Sequence, residues 1–228
     1  MHFEPKLPYH VYNRGNNHQR IFFRPEHYLF FLRKIRREWH PHCDVLAWCL
    51  MPNHFHFVLA PKPAGCTLLL QKGKEVHLQA LAYAIGKTLS SYTRAINKEQ
   101  DKTGVLFQKK TKAKCLYQEE LSNCSDQYLF NCICYVHQNP VEAGLVAAAA
   151  DWPFSSAADY LGKRAGTLCN KDLLYTLGGF TEQDLQQAVG YNADLWRSYW
   201  SGHLKETNST KYTAQWPDQY RTDQLSQL

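Results

Sequence analysis

The stretch that decides the fold is Met51-Pro52-Asn53-His54-Phe55-His56-Phe57-Val58-Leu59. Pro52-Asn53 is a turn signal between two apolar runs, Asp44 to Met51 and Phe55 to Leu59, so the two form a hairpin, with His54 leading into the second strand. Alternate residues of a strand point to opposite faces. His54 and His56 therefore project together, while Phe55, Phe57 and Leu59 project to the other side, where helices must pack. Outward from the hairpin, Tyr9 to Asn13 reads as a short strand closed by the polar loop Arg14-Gly15-Asn16-Asn17. Pro25 opens a helix to about Trp39, with Tyr28, Phe31, Leu32 and Ile35 at helical spacing. Beyond the hairpin, Cys66 to Leu70 reads as a short helical turn, and Val76 to about Lys98 as a long helix. Gly104 to Tyr117 reads as a fourth strand, in which Lys110, Lys112 and Lys114 alternate with smaller residues at period 2. A further helix is expected from about Leu121 to Asn139, stopped by Pro140.

The first six elements give the order βαββαβ. That is the ferredoxin-like or RRM-like α+β arrangement, a four-stranded antiparallel sheet with helices on one face. Residues 1–160 are read as one domain. Residues 161–228 are read as a helical C-terminal extension, with helices near Thr181 to Val189 and Asn192 to Leu204, and a polar tail from Glu206.

Charge is divided along the chain. The net charge of +6 over 228 residues hides 19 basic and 7 acidic residues up to Cys115, which is +12. The remainder, with 7 basic and 13 acidic, is −6. A basic half suits a polyanion and places nucleic-acid contact mainly there. No apolar run approaches the ~20 residues of a membrane span. The N-terminus lacks a signal-like apolar stretch, so a cytoplasmic protein with no membrane partner is expected. Of the 8 cysteines, none forms a Cys-x-x-Cys pair, and most sit in apolar segments. They read as reduced thiols rather than as disulfides or a zinc site.

On one strand face, two imidazoles can chelate a divalent ion; taken alone, the same spacing also describes two histidines on a solvated face. Tyr135-Val136-His137-Gln138-Asn139 adds to it. Tyr135 and Asn139 lie four apart on one helical face, so a tyrosine able to attack phosphorus stands beside an amide oxygen able to hold an ion. Tyr128, Cys132 and Tyr135 also make an ordinary packing stripe.

With these residues in view, the chain resembles the single-tyrosine HUH transposases of the insertion-sequence-200-like kind, and within them the REP-associated tyrosine transposases. The stretches that carry the resemblance are Asn13 to Asn17 with Ile21-Phe22, Leu50 to His56, Leu106-Phe107-Gln108 with the lysines after it, and Tyr135 to Val146. Trp152 to Ala157 resembles the family's downstream segment. The resemblance spans roughly Tyr9 to Tyr160. It implies a metal-dependent enzyme that cuts and rejoins single-stranded DNA carrying REP-type hairpins, by way of a 5′-phosphotyrosine. It implies Tyr135 as nucleophile, with His54, His56 and Asn139 as ligands of Mg²⁺ or Mn²⁺ and Gln138, one position early, as the alternate third ligand. Arg14, Asn16, Asn17 and Arg20 on the N-terminal loop become candidates for reading a short tetranucleotide beside the hairpin stem. Lys110, Lys112 and Lys114 become candidates for tracking phosphate. Relatives act as homodimers or as monomers, and both states stay open. Two other readings also stay open. One is a domesticated protein that binds hairpin DNA without cutting it. The other is an unrelated sheet-based RNA-binding module, which would carry aromatic rather than imidazole side chains on its open face.

Overall fold

The computed structural model describes residues 1–71, 74–117 and 125–190. Strand β1 is Tyr9–Arg14, helix α1 Pro25–Glu38, strand β2 Cys43–Met51 and strand β3 His54–Pro61. A short α2, Pro63–Cys66, and the strands β4, Leu68–Gln71, and β5, Lys74–Gln79, lead into α3, Ala80–Glu99. Then come β6, Lys112–Cys115, and α4, Ser125–Glu142, followed by α5, Ala157–Tyr160, α6, Lys171–Gly178, and α7, Glu182–Gly190.

The main sheet has the order β2-β3-β1-β6, every neighbouring pair antiparallel. The expected α+β arrangement is therefore present. Phe55 and Phe57 are fully buried. Phe55 meets Phe31 of α1 at 5.5 Å between ring centres, and Phe57 meets Trp39 at 5.0 Å. Each such ring contributes about 1.5–3 kcal/mol by leaving water. Trp39 Nε1 donates to Thr88 Oγ1 of α3 (3.0 Å), and Tyr92 Oη donates to the Ile21 carbonyl (2.7 Å). These bonds satisfy the polar atoms of a core that clamps α1 and α3 onto one face of the sheet.

Helix α4 covers the other face, packing on β2 and β3. Its own far side receives α6 and α7, and Leu168, Leu174, Leu185 and Val189 join the same core as the sheet.

Four sequence expectations are corrected. The helical turn lies at Pro63–Cys66, and Leu68 onward is a strand that pairs with β5. The long helix begins at Ala80, because Lys74–Gln79 belongs to that second hairpin. The fourth strand shrinks to Lys112–Cys115. Before it, Gly104 takes φ +96°, and Asn13 Nδ2 donates to the Gln108 carbonyl and to Thr111 Oγ1. A side chain thus interrupts the ladder between Gln108 and Lys112. Backbone pairing resumes at Phe107, which bridges Gly15, with Asn16 N–H on the Leu106 carbonyl (2.9 Å) and Gln108 N–H on the Arg14 carbonyl (2.8 Å). Pro140 does not stop α4, which runs through it to Glu142. The stop is Gly144 at φ +68°. Its N–H reaches the Val141 carbonyl (2.9 Å), and Leu145 N–H reaches the Pro140 carbonyl (2.9 Å). That is a Schellman ending, which needs a residue at ease in the left-handed region. The start of α4 expected at Leu121, the helix expected over Asn192 to Leu204 and the tail from Glu206 lie outside the described residues.

Candidate metal centre and nucleic-acid face

Register brings the site together. Tyr12 pairs with His56 and Arg14 with His54 across β1 and β3, and Lys112 pairs with Tyr12 and Lys114 with His10 across β1 and β6. Directly paired residues share a face. One face of the sheet therefore carries His10, Tyr12, Arg14, His54, His56, Lys112 and Lys114, and α4 lies against it.

His54 and His56 stand with ring centres 5.0 Å apart and planes at 89°. His54 Nδ1–H donates to Asn53 Oδ1 (2.7 Å). A carboxamide oxygen only accepts, so this bond puts the ring proton on Nδ1 and leaves the lone pair on Nε2. That Nε2 lies 3.4 Å from Asn139 Oδ1. Asn139 is oriented by its own Nδ2, which donates to the Tyr135 carbonyl (2.8 Å). Two acceptors thus face each other.

His56 is 4% exposed, and its Nε2 is buried without a hydrogen-bond partner, while its Nδ1 lies 2.8 Å from His10 Nε2. The His56 and Tyr135 rings meet edge to face at 5.4 Å. Tyr135 is half-buried at the margin of the core.

Burial lowers the pKa of His54 to about 4, and the positive charge of Arg14 acts in the same direction against the raising effect of Asn139. It lowers His56 well below the usual imidazole range, helped by His54, His10 and Arg14. Both rings are neutral at pH 7, the form that ligates metal. Among the described residues no cluster of three or more His, Cys, Asp or Glu is arranged to hold an ion. The candidate donor set is two imidazoles and one carboxamide, with no anion among them. Such a set fits a divalent ion that takes further ligands from water and a phosphate oxygen.

Gln138 is not brought to the histidines. It is 2% exposed, and its Nε2 donates to the Val189 carbonyl of α7 (2.8 Å). His137, between it and Val136, faces away as well and meets Ser156 Oγ at 2.8 Å.

Arg14, Lys112 and Lys114 share the face of the histidines. Lys112 Nζ lies 5.7 Å from the Tyr12 ring centre and Lys114 Nζ 4.9 Å from that of Tyr128. Lys110 is exposed in the irregular segment before β6, outside the stripe expected for it. Asn16 and Asn17 lie in a single 3₁₀ turn, with Asn17 at φ 50°, and Arg20 follows it. The loop is tied to the hairpin turn beside His54: Gly15 N–H donates to the Asn53 carbonyl (2.7 Å) and Ile21 N–H to the Pro52 carbonyl (2.8 Å).

His10, Tyr12 and Asn53 are site residues that reading the sequence missed. His10-x-Tyr12-x-Arg14 alternates as His54-x-His56 does, but its relevance depends on which residues of β1 and β3 stand opposite.

No family model matches the chain, and no curated protein matches it. Among solved structures, the chain is similar to that of a REP-associated tyrosine transposase bound to a REP hairpin, with 14% identity and a TM-score of 0.49, over 72% of this chain and 84% of that one. Among the described residues no helix is long and apolar enough to cross a membrane.

Proposed function

We propose that the protein is a metal-dependent, single-stranded DNA endonuclease and strand transferase that acts on hairpin DNA. Its nucleophile is Tyr135, and His54, His56 and Asn139 hold Mg²⁺ or Mn²⁺. The observation that carries this reading is the pair of facing acceptors, His54 Nε2 and Asn139 Oδ1, beside a buried and unpartnered His56 Nε2 and next to Tyr135. Lone pairs repel unless a proton or a cation lies between them, and His54 is neutral at pH 7. Bound there, the ion would supply Lewis acidity toward a phosphate oxygen.

The chain's own residues do the rest. Arg14, Lys112 and Lys114 attract the DNA backbone to this face, and Tyr12 and Tyr128 offer ring surfaces for bases. Asn16, Asn17 and Arg20 lie beside the turn that carries His54, where they meet the nucleotides flanking the cleaved bond. Tyr135 Oη attacks phosphorus. The Oη–P bond forms, the P–O3′ bond breaks, and the phenolic proton ends on the 3′-OH. The 5′-phosphotyrosine keeps the energy of the broken ester, so a 3′-OH can reverse the step on another strand without a nucleotide cofactor. Hairpins of REP type are the substrate class suggested by the sequence resemblance, and the cytoplasm is the compartment where they occur.

The test is a 3′-labelled hairpin oligonucleotide with a single-stranded flank, incubated with Mg²⁺ or Mn²⁺ and run on a denaturing gel. The label is expected to migrate with the protein. Tyr135→Phe is expected to lose that band and keep DNA affinity. An adduct from the phenylalanine variant would overturn the nucleophile. DNA binding by the unaltered protein with no adduct under either metal would instead favour a non-cleaving binder, and preferential binding of RNA would favour the RNA-binding module.

A further inference from the structure

We propose that His10 is a positioning residue for the candidate metal centre. Its Nε2 accepts a hydrogen bond from His56 Nδ1–H, which holds His56 in the tautomer whose Nε2 is free to ligate. The inference rests on the reading of His54, His56 and Asn139 as a metal site and adds to it a residue that no motif points to.

The geometry is specific. His10 Nε2 and His56 Nδ1 are 2.8 Å apart, and the ring centres are 5.0 Å apart with planes at 24°, so the rings meet edge to edge in nearly one plane, as an N–H···N bond requires. Tyr12 stacks on His10 at 4.7 Å and lies 5.8 Å from His56, so one aromatic ring packs beside both imidazoles. Two neutral imidazoles in such a contact offer one donor and one acceptor. If His10 donates, the proton of His56 moves to Nε2, the buried atom without a partner, and that atom cannot bind metal. If His56 donates, its Nε2 presents a lone pair on the face shared with His54. His54 is held in the corresponding state by Asn53. Each of the two candidate ligands thus has its own tautomer-setting acceptor, Asn53 Oδ1 for one and His10 Nε2 for the other. Outer partners of this kind fix both the ring and the protonated nitrogen of a metal-binding histidine.

The wild-type chain itself gives the first test. With ring-¹⁵N histidine and no metal, long-range proton–nitrogen correlation spectra are expected to show His56 protonated on Nδ1. Protonation on Nε2 overturns the proposal. The second test is Mn²⁺ affinity read by electron paramagnetic resonance. His10→Phe keeps an aromatic ring and removes the acceptor, and affinity is expected to fall about 10–100-fold. His10→Gln, whose carboxamide oxygen accepts a hydrogen bond, is expected to restore most of it. Equal affinity in all three proteins overturns the role of His10 and leaves the metal site standing. A wild-type chain that binds no Mn²⁺ and shows no change in its His54 and His56 signals overturns the metal site, and the role of His10 with it. If His10→Phe does not fold, the tautomer of the wild type and the His10→Gln affinity decide.

Discussion

Asn139 and Gln138 are adjacent carboxamides with opposite surroundings. One turns its oxygen to His54 and the other gives its nitrogen to the backbone of α7. The two substitutions should therefore separate. Asn139→Ala is expected to lower Mn²⁺ affinity by more than about tenfold and to abolish the covalent adduct, with little change in thermal stability. Gln138→Ala is expected to leave Mn²⁺ affinity unchanged. It should cost roughly 1–3 kcal/mol in denaturant unfolding, because the Val189 carbonyl loses its donor in a buried setting. A loss of metal affinity in Gln138→Ala and not in Asn139→Ala would exchange their roles. At this scale, spacing alone made His54 and His56 share a face and Tyr135 and Asn139 share another, since both follow from the periods of strand and helix. It left Asn139 and Gln138 undecided. A helix turns 100° per residue, and only the packing of α7 shows which amide is already engaged.

The N-terminal loop and β6 carry the side chains proposed to face DNA, and both depend on short-range backbone detail. A Cβ on Gly15 would fall 2.0 Å from the Gln19 carbonyl oxygen, so the turn that presents Asn16 and Asn17 closes only over a hydrogen atom. Gly15→Ala is expected to lower stability by about 1–3 kcal/mol and to weaken hairpin binding, with Mn²⁺ affinity unchanged. Normal melting and normal binding would show that the loop has room to move. For β6, Lys112→Ala and Lys114→Ala are each expected to reduce the salt dependence of single-stranded DNA affinity by about 0.7 in log–log slope, and Lys110→Ala by less. An effect of Lys110→Ala equal to the other two would mean that the irregular segment also tracks phosphate. The alternation of lysines was visible in the sequence and the break in the ladder was not. Period 2 continues through Lys110, but Asn13 takes the Gln108 carbonyl with its side chain before pairing resumes at Phe107, which no periodicity reports. The helix end at Gly144 was obscured in the same way, by a proline that looks like a stronger stop.

Over the whole molecule, the basic half supplies the sheet face and the acidic half supplies α4, so the site is assembled where the two meet. Burial there has a consequence for acid stability. Desolvation, first among the causes, lowers His10 and His137 to about 3 and His54 to about 4, against about 6.5 in an unfolded chain. Below pH 6.5 the unfolded state takes up protons that the folded state refuses. Stability is therefore expected to be full above about pH 6.5 and to fall steadily as the pH drops toward 4. Melting curves at pH 7.5, 5.5 and 4.5 measure it, and a flat or rising midpoint would mean that these rings charge in place. The outer edge of β2 has a different consequence. Leu50 N–H donates to the Phe154 carbonyl, and the Trp48 carbonyl accepts from Ser156 N–H and the Val45 carbonyl from Asn170 N–H. Trp48 N–H donates to Ser156 Oγ, and the Leu50 and Leu46 carbonyls accept from Trp152 Nε1 and Tyr160 Oη. The segment that follows α4 thus acts as a selvedge, finishing the border of the sheet against being sewn to another. β2 offers a second copy's sheet little free backbone to pair with, and among the described residues the opposite border of the sheet is β6, four residues long and carrying Lys112 and Lys114, which repel their like.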